Sequence, residues 1–258
     1  MKYFLVLLCS FWILSCKTTT DQVNSKPLWI FVLAGQSNMA GRGAVEDEDT
    51  IAHPDILVLD SLNQWAIAKE PLHYYEPIRR GLDCGVAFAR ELLKLNQDSI
   101  RIGLVPCAVG GSSVEQWLYD STYREVKLFS NFNEKVSLAK MKGSIKGILW
   151  HQGESNLNYG SLEDYSLKLD SLFLKMRSVA GQPDLPVIIG ELGQFLKSSE
   201  YHGKQVPFNA MLHSKDSLSA GLLLVSSMGL AHKGDSVHFD SPSLREFGKR
   251  YARAFMDY

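Results

Sequence analysis

The sequence has little of three things: cysteine, net charge and long apolar runs. Its 258 residues include 4 cysteines and carry a formal net charge of −1. A balance so close to neutral gives no electrostatic case for nucleic acid as a partner. No apolar run reaches the ~20 residues of a membrane-spanning helix. The composition, 45% hydrophobic and 21% charged, is that of a globular protein with a sizeable core, and the length suits one α/β domain.

The first residues have the pattern of a targeting segment. Lys2 precedes an almost unbroken apolar run, and Ile13-Leu14-Ser15-Cys16 then resembles a bacterial lipoprotein box. We predict a lipoprotein-type signal peptide over residues 1–16 with Cys16 as the lipidation site, a polar tether over 17–26, and a single domain over 27–258. We therefore expect export to the periplasm or cell surface, with a lipid anchor as the membrane contact. Leu14 is uncommon at its place in such a box, so a plain secretory signal stays open, as does a buried N-terminal helix.

Two cysteines remain in the predicted mature domain, Cys84 and Cys107. Neither has a C-x-x-C partner, which argues against a redox or zinc role. An oxidising periplasm would allow one disulfide between them, whereas their apolar surroundings are equally compatible with two buried thiols. The sequence leaves both alternatives open.

Apolar, β-branched runs alternate along the chain with longer helical patterns. Hydrophobicity that is continuous rather than alternating is typical of strands buried on both faces. The predicted strands are Leu28–Ala34, Ile56–Asp60, Ile100–Pro106, Ile145–Trp150 and Leu185–Leu192, with a short extra strand at Leu222–Ser226. The predicted helices are Gly85–Leu95, Phe132–Met141, Leu162–Val179, Val206–Ser219 and Ser243–Met256. This alternation predicts a parallel sheet of about five strands with helices on both faces, a three-layer α/β/α sandwich.

The parts of a hydrolytic triad lie near opposite ends of the predicted domain. Ser37 follows the first strand within the segment GQSNM, and Asp235 stands three residues ahead of His238. Serine is a weak nucleophile that needs a histidine base, itself oriented by a carboxylate. We therefore predict Ser37 as nucleophile, His238 as base and Asp235 as its orienting acid, with Gln36 and Asn38 as supporting residues.

Simpler interpretations exist for the same residues. Met39 replaces the second glycine of a G-x-S-x-G nucleophile turn, so Ser37 could instead be a helix N-cap. His232-x-x-Asp235-x-x-His238 has a formal metal-ligand spacing, although Gly234 and the polar residues between argue against one regular helix face.

Two polar clusters follow later strands. Gly110 and Gly111 allow a backbone that presents N–H groups to a ligand, and the Gln152 side-chain amide could donate to an oxyanion. Glu154 could support the base histidine or bind a substrate hydroxyl, and Trp117 could wall a sugar pocket. The alternatives are a plain glycine turn, ordinary packing for the tryptophan, and a metal pair made of His151 and Glu154.

Together, six segments resemble the SGNH hydrolase superfamily, and within it the sialic-acid-specific acetylesterase group that includes the family six acetylxylan esterases. They are GQSNMAGRG at Gly35–Gly43, EPLH at Glu70–His73, GVAFA at Gly85–Ala89, IGLVPCAVGGSSVEQW at Ile102–Trp117, WHQGESN at Trp150–Asn156 and GDSVHFD at Gly234–Asp240. Their order and spacing are kept over nearly the whole predicted domain. The resemblance implies a flavodoxin-like sandwich and the triad assigned above.

The resemblance also implies an oxyanion hole and a substrate. The hole would combine the Ser37 amide, a glycine amide with Gly110 preferred to Gly111, and the Gln152 side chain, where the wider superfamily has asparagine. Asn156 stands where an aspartate is commoner in the group. The implied reaction removes acetyl groups from O-acetylated sugars of the xylan or sialic acid type, and needs no metal or organic cofactor. A non-catalytic glycan-binding lipoprotein and a lipase or thioesterase of the same superfamily remain as alternatives.

Overall fold

The computed structural model describes residues 26–198, 201–216 and 220–258, which form a three-layer α/β/α sandwich. The strands are β1 (Leu28–Gly35), β2 (Ile56–Leu59), β3 (Trp65–Ile67), β4 (Arg101–Pro106), β5 (Thr122–Tyr123), β6 (Val126–Lys127), β7 (Ser144–His151), β8 (Val187–Gly190) and β9 (Leu222–Val225). The helices are α1 (Ser37–Ala40), α2 (Gly85–Leu95), α3 (Val114–Leu118), α4 (Leu128–Lys140), α5 (Leu162–Ala180), α6 (Gln205–Asp216) and α7 (Ser241–Met256). The predicted signal peptide, nearly all of the tether and the last residues of the Val206–Ser219 helix lie outside the described residues.

The first strand shows why both faces of the sheet are covered. Phe31 and Leu33 pack into the layer formed with α2 and α7, whereas Ile30 and Val32 pack into the layer formed with α4 and α5. All four side chains are fully buried. A strand with no solvent-facing side carries a continuous apolar run. This run is the pattern from which the strand was predicted.

The sheet has seven strands in the order β3-β2-β4-β1-β7-β8-β9. Its segment β4-β1-β7-β8-β9 is parallel and has the 2-1-3-4-5 order of flavodoxin-like folds. The predicted fold class is therefore confirmed. The sheet exceeds the expected count of about five because the predicted short extra strand joins it as β9 and the short antiparallel strand β3, which was not predicted, pairs with β2 at the other edge.

The central position of β1 determines where a site can form. The chain leaves β1 for β2 and β4 on one side and later returns through β7 on the other, so β1 and β7 border the topological switch point. The carboxyl ends of β1 and β7 pair at Gly35 and His151. The polar segments that follow these strands therefore lie side by side.

Among the helices of the described chain, none combines the length and apolar character that crossing a bilayer would require.

Candidate active site

Three of the predicted residues meet at the carboxyl edge of the sheet. His238 Nε2 lies 3.0 Å from Ser37 Oγ, and His238 Nδ1 lies 2.7 Å from Asp235 Oδ2. Ser37 and Asp235, almost 200 residues apart in the chain, thus contact opposite nitrogens of one imidazole. In this arrangement the imidazole can take the serine proton as a base, while the carboxylate fixes the tautomer of the imidazole.

The loop around Asp235 holds this carboxylate in its charged form. Its Oδ1 accepts hydrogen bonds from the backbone N–H of Val237 at 3.0 Å and of His238 at 2.8 Å. Partial burial alone would raise the pKa of Asp235, but the hydrogen bonds from the His238 backbone and imidazole outweigh it and lower the pKa to about 2. The histidine thus faces an anion over the whole ordinary pH range.

Asn38 fixes the backbone on both sides of the base. Its Nδ2 donates to Val237 O at 3.2 Å, and its Oδ1 accepts from the backbone N–H of Phe239 at 3.1 Å. The same Nδ2 also donates to Glu154 Oε1 at 2.6 Å. Glu154 is only 1% exposed, so of its two predicted roles, support of the base through Asn38 matches the structure and binding of a substrate hydroxyl does not.

Ser37 is the first residue of the short helix α1 and does not act as its cap. Gln36 occupies the N-cap position, and its carbonyl accepts from the N–H groups of Met39 and Ala40. Within the described residues, the Ser37 N–H has no recorded hydrogen-bond partner. The N-cap alternative for Ser37 is therefore wrong, because its hydroxyl is turned to His238 and its amide is left free.

The two glycines after β4 have different surroundings. They form the centre of a turn in which the Ser112 N–H donates to Val109 O at 3.3 Å. The Gly110 N–H donates to Glu76 Oε2 at 2.7 Å, whereas the N–H of Gly111 has no recorded partner in the described chain. Gly110, the glycine that the sequence favoured as oxyanion donor, therefore has its amide occupied by a carboxylate.

Gln152 lies in a buried network behind the site. Its Oε1 accepts from Tyr165 Oη at 2.9 Å, and burial raises the pKa of that phenol, which keeps its proton. Its Nε2 donates toward three acceptors, Asn156 Oδ1 at 2.7 Å, Gln36 Oε1 at 3.1 Å and Ser112 O at 3.2 Å. Since an amide nitrogen has two hydrogens, at least one of these contacts is shared.

Trp117 does not wall a pocket. It is fully buried, it packs edge-on against Trp150 with ring centroids 5.5 Å apart, and its Nε1 donates to Ser112 Oγ at 2.9 Å. Its role as a substrate contact is therefore corrected to one of packing, because the turn after β4 covers it.

The surroundings of the cysteine and histidine side chains decide the remaining alternatives, which are a disulfide and a metal site. Cys84 and Cys107 are buried and unlinked, and burial raises the pKa of the Cys107 thiol to about 12. His232 Nδ1 accepts from two loop N–H groups, those of Gly234 and Ser236, and does not join Asp235 and His238 in a ligand set. In the part of the chain that the structure describes, no three His, Cys, Asp or Glu side chains are arranged to hold a metal.

Several polar partners of the site could not be identified from the sequence. Glu76 binds the Gly110 amide, and Arg42 lies 2.6 Å from the same carboxylate. Ser155 Oγ donates to Gly111 O at 3.1 Å. Arg42 lies within GQSNMAGRG and Ser155 within WHQGESN, so the motifs contained them, but nothing in a linear pattern shows which residue faces which.

By fold and site, the chain is an α/β ester hydrolase of the SGNH type, with serine, histidine and aspartate at the carboxyl edge of a flavodoxin-like sheet. A family model described as carbohydrate esterase, sialic acid-specific acetylesterase matches residues 27–257. A probable carbohydrate esterase of Arabidopsis thaliana, At4g34215, is 34% identical over 253 residues, covering 89% of this chain and 91% of the relative. The chain therefore belongs to this carbohydrate esterase family.

Solved structures agree on the fold. The Arabidopsis thaliana protein AT4G34215 superposes with a TM-score of 0.76 at 27% identity, covering 90% of this chain and 98% of that one. NanS superposes with a TM-score of 0.75 at 17% identity and the same two coverages, 90% and 98%. XAC1771 of Xanthomonas citri, described as a carbohydrate acetylesterase, gives 0.65 at 18% identity and covers 88% of this chain and 55% of that one.

Proposed function

We propose that this protein removes acetyl groups from O-acetylated carbohydrates through an acyl-enzyme intermediate on Ser37. The observation that carries the proposal is the unbroken contact from Ser37 Oγ to His238 Nε2 at 3.0 Å and from His238 Nδ1 to Asp235 Oδ2 at 2.7 Å. Membership of a carbohydrate esterase family supplies the chemical class of the bond.

The proposed cycle has two halves. His238 takes the Ser37 proton as Oγ attacks the acetyl carbonyl, and it then gives that proton to the departing sugar oxygen. Water attacks the acetyl-serine along the same path and releases acetate. Asp235 stays ionised throughout, because its hydrogen bonds hold its pKa at about 2.

The oxyanion would be bound by two backbone amides that the described residues leave free and by the side-chain amide of Gln152. The Ser37 N–H is one, since it begins α1 and has no recorded partner among the described residues. For the glycine donor we now favour Gly111, because the Gly110 amide is held by Glu76. Gln152 is the third donor, since a charged oxyanion is a stronger acceptor than the neutral carbonyls that Nε2 contacts.

The test is acetate release from acetylated xylan, acetylated sialoglycans and small acetylated sugars. The wild-type protein should release acetate from at least one of them, and the Ser37→Ala variant should not. Ser171→Ala is the matched control, because Ser171 lies exposed on α5, away from the site, and donates to Leu167 O within its own helix. Acetate release by Ser37→Ala at the wild-type rate would refute the proposed nucleophile.

We also propose that residues 1–16 are a signal peptide and that Cys16 is acylated after cleavage, which would anchor the protein at the bacterial membrane facing the periplasm or cell surface. The proposal is supported by the lipobox-like ILSC and the polar KTTTDQVNSK that follows. Growth with labelled palmitate should label the wild-type protein and leave Cys16→Ala unlabelled. An unlabelled, freely soluble wild-type protein would overturn the anchor.

A further inference from the structure

A buried ion cluster lies directly behind the glycine turn. Glu76 Oε2 lies 2.6 Å from Arg42 Nη2, and Glu76 Oε1 lies 2.8 Å from Arg124 Nη1. The Glu76 and Arg42 side chains are only 7% and 8% exposed. A carboxylate so deeply buried is retained only where charge and hydrogen bonds compensate for its lost water, and here the turn supplies one of those bonds.

The cluster determines the orientation of the turn. The Gly110 N–H donates to Glu76 at 2.7 Å, and Gly111 O accepts from Ser155 Oγ at 3.1 Å. Gly111 has a φ of +84°, which is the conformation required at the third residue of a type II turn. With these groups fixed, the direction of the Gly111 N–H is fixed as well.

The close approach of Glu76 explains why the second residue of the turn, Gly110, is glycine. A Cβ on Gly110 would lie 2.0 Å from Arg42 Nη2 and 2.5 Å from Glu76 Oε2. No larger side chain leaves room for the ion pair at that distance. The two glycines therefore serve different purposes: Gly110 admits the carboxylate, and Gly111 provides the left-handed backbone.

The same cluster is continuous with the triad. Arg42 follows α1, and its Nη1 donates to Gly41 O at 2.7 Å. Lys233 Nζ donates to Arg42 O at 3.1 Å and lies 3.9 Å from Asp235 Oδ2. Glu76 thus contacts the glycine turn and Arg42, and Arg42 in turn connects the segment that carries the nucleophile to the loop that carries the base.

The third arm of the cluster comes from a strained hairpin. Arg124 and Glu125 connect β5 to β6 with φ angles of +47° and +65°, the turn that glycine and asparagine normally occupy. Two adjacent non-glycine residues with positive φ are stable only where other contacts hold the backbone in that conformation. The ion pair of Arg124 with Glu76 is a contact of that kind.

We infer that Glu76 is a positioning residue for the oxyanion hole: it draws the Gly110 N–H away from the reacting centre and so leaves the Gly111 N–H as the donor of the turn. This inference rests on the proposed esterase function. Glu76 touches no reacting atom, and it acts through the backbone that it holds.

The test compares Glu76→Gln with the wild-type protein on p-nitrophenyl acetate. Glutamine keeps an oxygen for Gly110 but loses the charge that Arg42 and Arg124 hold in place. We expect kcat to fall roughly 10- to 100-fold with KM unchanged, because the donor is misplaced in the transition state only. Affinity for a boronic acid that forms a tetrahedral adduct with the serine should fall by the same factor. Glu125→Gln, on the exposed tip of the same hairpin, should match the wild-type protein.

Hydrogen exchange provides a readout that does not depend on activity. Peptides covering Val109–Ser112 should exchange faster in Glu76→Gln than in Glu125→Gln. If Glu76→Gln fails to fold, Glu76→Asp keeps the charge but shortens the reach, and the same loss of kcat is expected of it. A folded variant with unchanged kcat, or a raised KM with unchanged kcat, would overturn the inference. Absence of any esterase activity in the wild-type protein would instead refute the proposed function.

Discussion

The Asp235 side chain combines two functions in one carboxylate. Oδ2 contacts the imidazole and Oδ1 accepts two backbone N–H groups. The lowered pKa, about 2, means that its contribution to stability is present above the unfolded value of about 3.9 and is lost as pH falls through about 2. Protonation of Asp235 therefore cannot account for a loss of activity at mildly acidic pH.

We predict that Asp235→Asn reduces kcat by about 10⁴-fold with little change in KM, because an amide can present its N–H to the imidazole and select the wrong tautomer. Steady-state kinetics on p-nitrophenyl acetate would measure this. Asp184→Asn is the control, since Asp184 is exposed and remote from the site. An Asp235→Asn enzyme as fast as the wild-type protein would show that the carboxylate has no part in the reaction.

Substitution of Asn38 should displace the base, His238, because Asn38 holds the backbone on both sides of it without touching the imidazole. Asn38→Asp removes the donor to Val237 O and places a second carboxylate against Glu154 Oε1, 2.6 Å from the present nitrogen. We expect kcat to fall roughly 10- to 100-fold through misplacement of the imidazole, together with a lower Tm. Glu154→Gln keeps an acceptor for Asn38 and should retain most of the activity. Equal losses in the two variants would contradict this account of Asn38.

The individual roles of polar residues could be predicted only in part. Ser37, Asp235 and His238 were found because the chemistry requires those residue types and few others fit. The sequence could not show that Trp117 is covered by the turn after β4 or that Glu76 occupies the Gly110 amide. Such facts depend on the packing of segments distant along the chain, which neither spacing nor composition records.

At the scale of elements, the backbones of β1 and β7 are in close contact where the site begins, at Gly35 and His151. Gly35 has a φ of +130°, and a Cβ there would lie 2.1 Å from His151 O. We predict that Gly35→Ala destabilises the fold by at least about 2 kcal/mol, from backbone strain plus overpacking, and lowers activity by displacing Ser37. Denaturant unfolding would measure the change.

The control for this prediction separates strain from crowding. Gly229 also has a positive φ, +77°, but a Cβ there would meet nothing within 4 Å. Gly229→Ala should therefore lose less stability than Gly35→Ala. Equal losses of stability in the two variants would mean that the close contact of β1 with β7 adds nothing to the cost of the positive φ.

Elements buried on both faces were predictable, and short ones were not. The continuous apolar runs gave β1, β2, β4, β7, β8 and β9 to within two residues at each end, because burial leaves no room for polar residues. The three residues of β3 are too few to show a period. Helix α3 carried a usable signal, since Ser113 and Gln116 form a capping box at its start.

For the molecule as a whole, the motif at Glu70–His73 contributes a buried acid, Glu70, that takes no part in the proposed reaction. Glu70 is 7% exposed, and within the described chain neither of its carboxylate oxygens has a hydrogen-bond partner of good geometry. Burial raises its pKa well above the usual value, and the charge of Asp83, itself 2.9 Å from His73 Nδ1, raises it further. The folded state therefore holds this proton more tightly than the unfolded chain.

A raised pKa of an acid makes stability fall as pH rises. The contribution of Glu70 is fully present below the unfolded value of about 4.3 and is lost as pH climbs through the folded pKa. We predict that Glu70→Gln, neutral at every pH, has a higher Tm than the wild-type protein at about pH 8 and the same Tm at about pH 4. Glu163→Gln, exposed on α5, should follow the wild-type curve. Parallel curves for wild type and Glu70→Gln would refute the assignment.

The central claim is that one activated serine carries the acyl group, and active-site labelling tests it most directly. A fluorophosphonate probe reacts with a serine only when a base activates it, and peptide mass spectrometry locates the adduct. We predict a single adduct on Ser37, lost in His238→Ala and in Ser37→Ala while both variants stay folded. An adduct on another residue, or labelling of His238→Ala at the wild-type rate, would contradict the account.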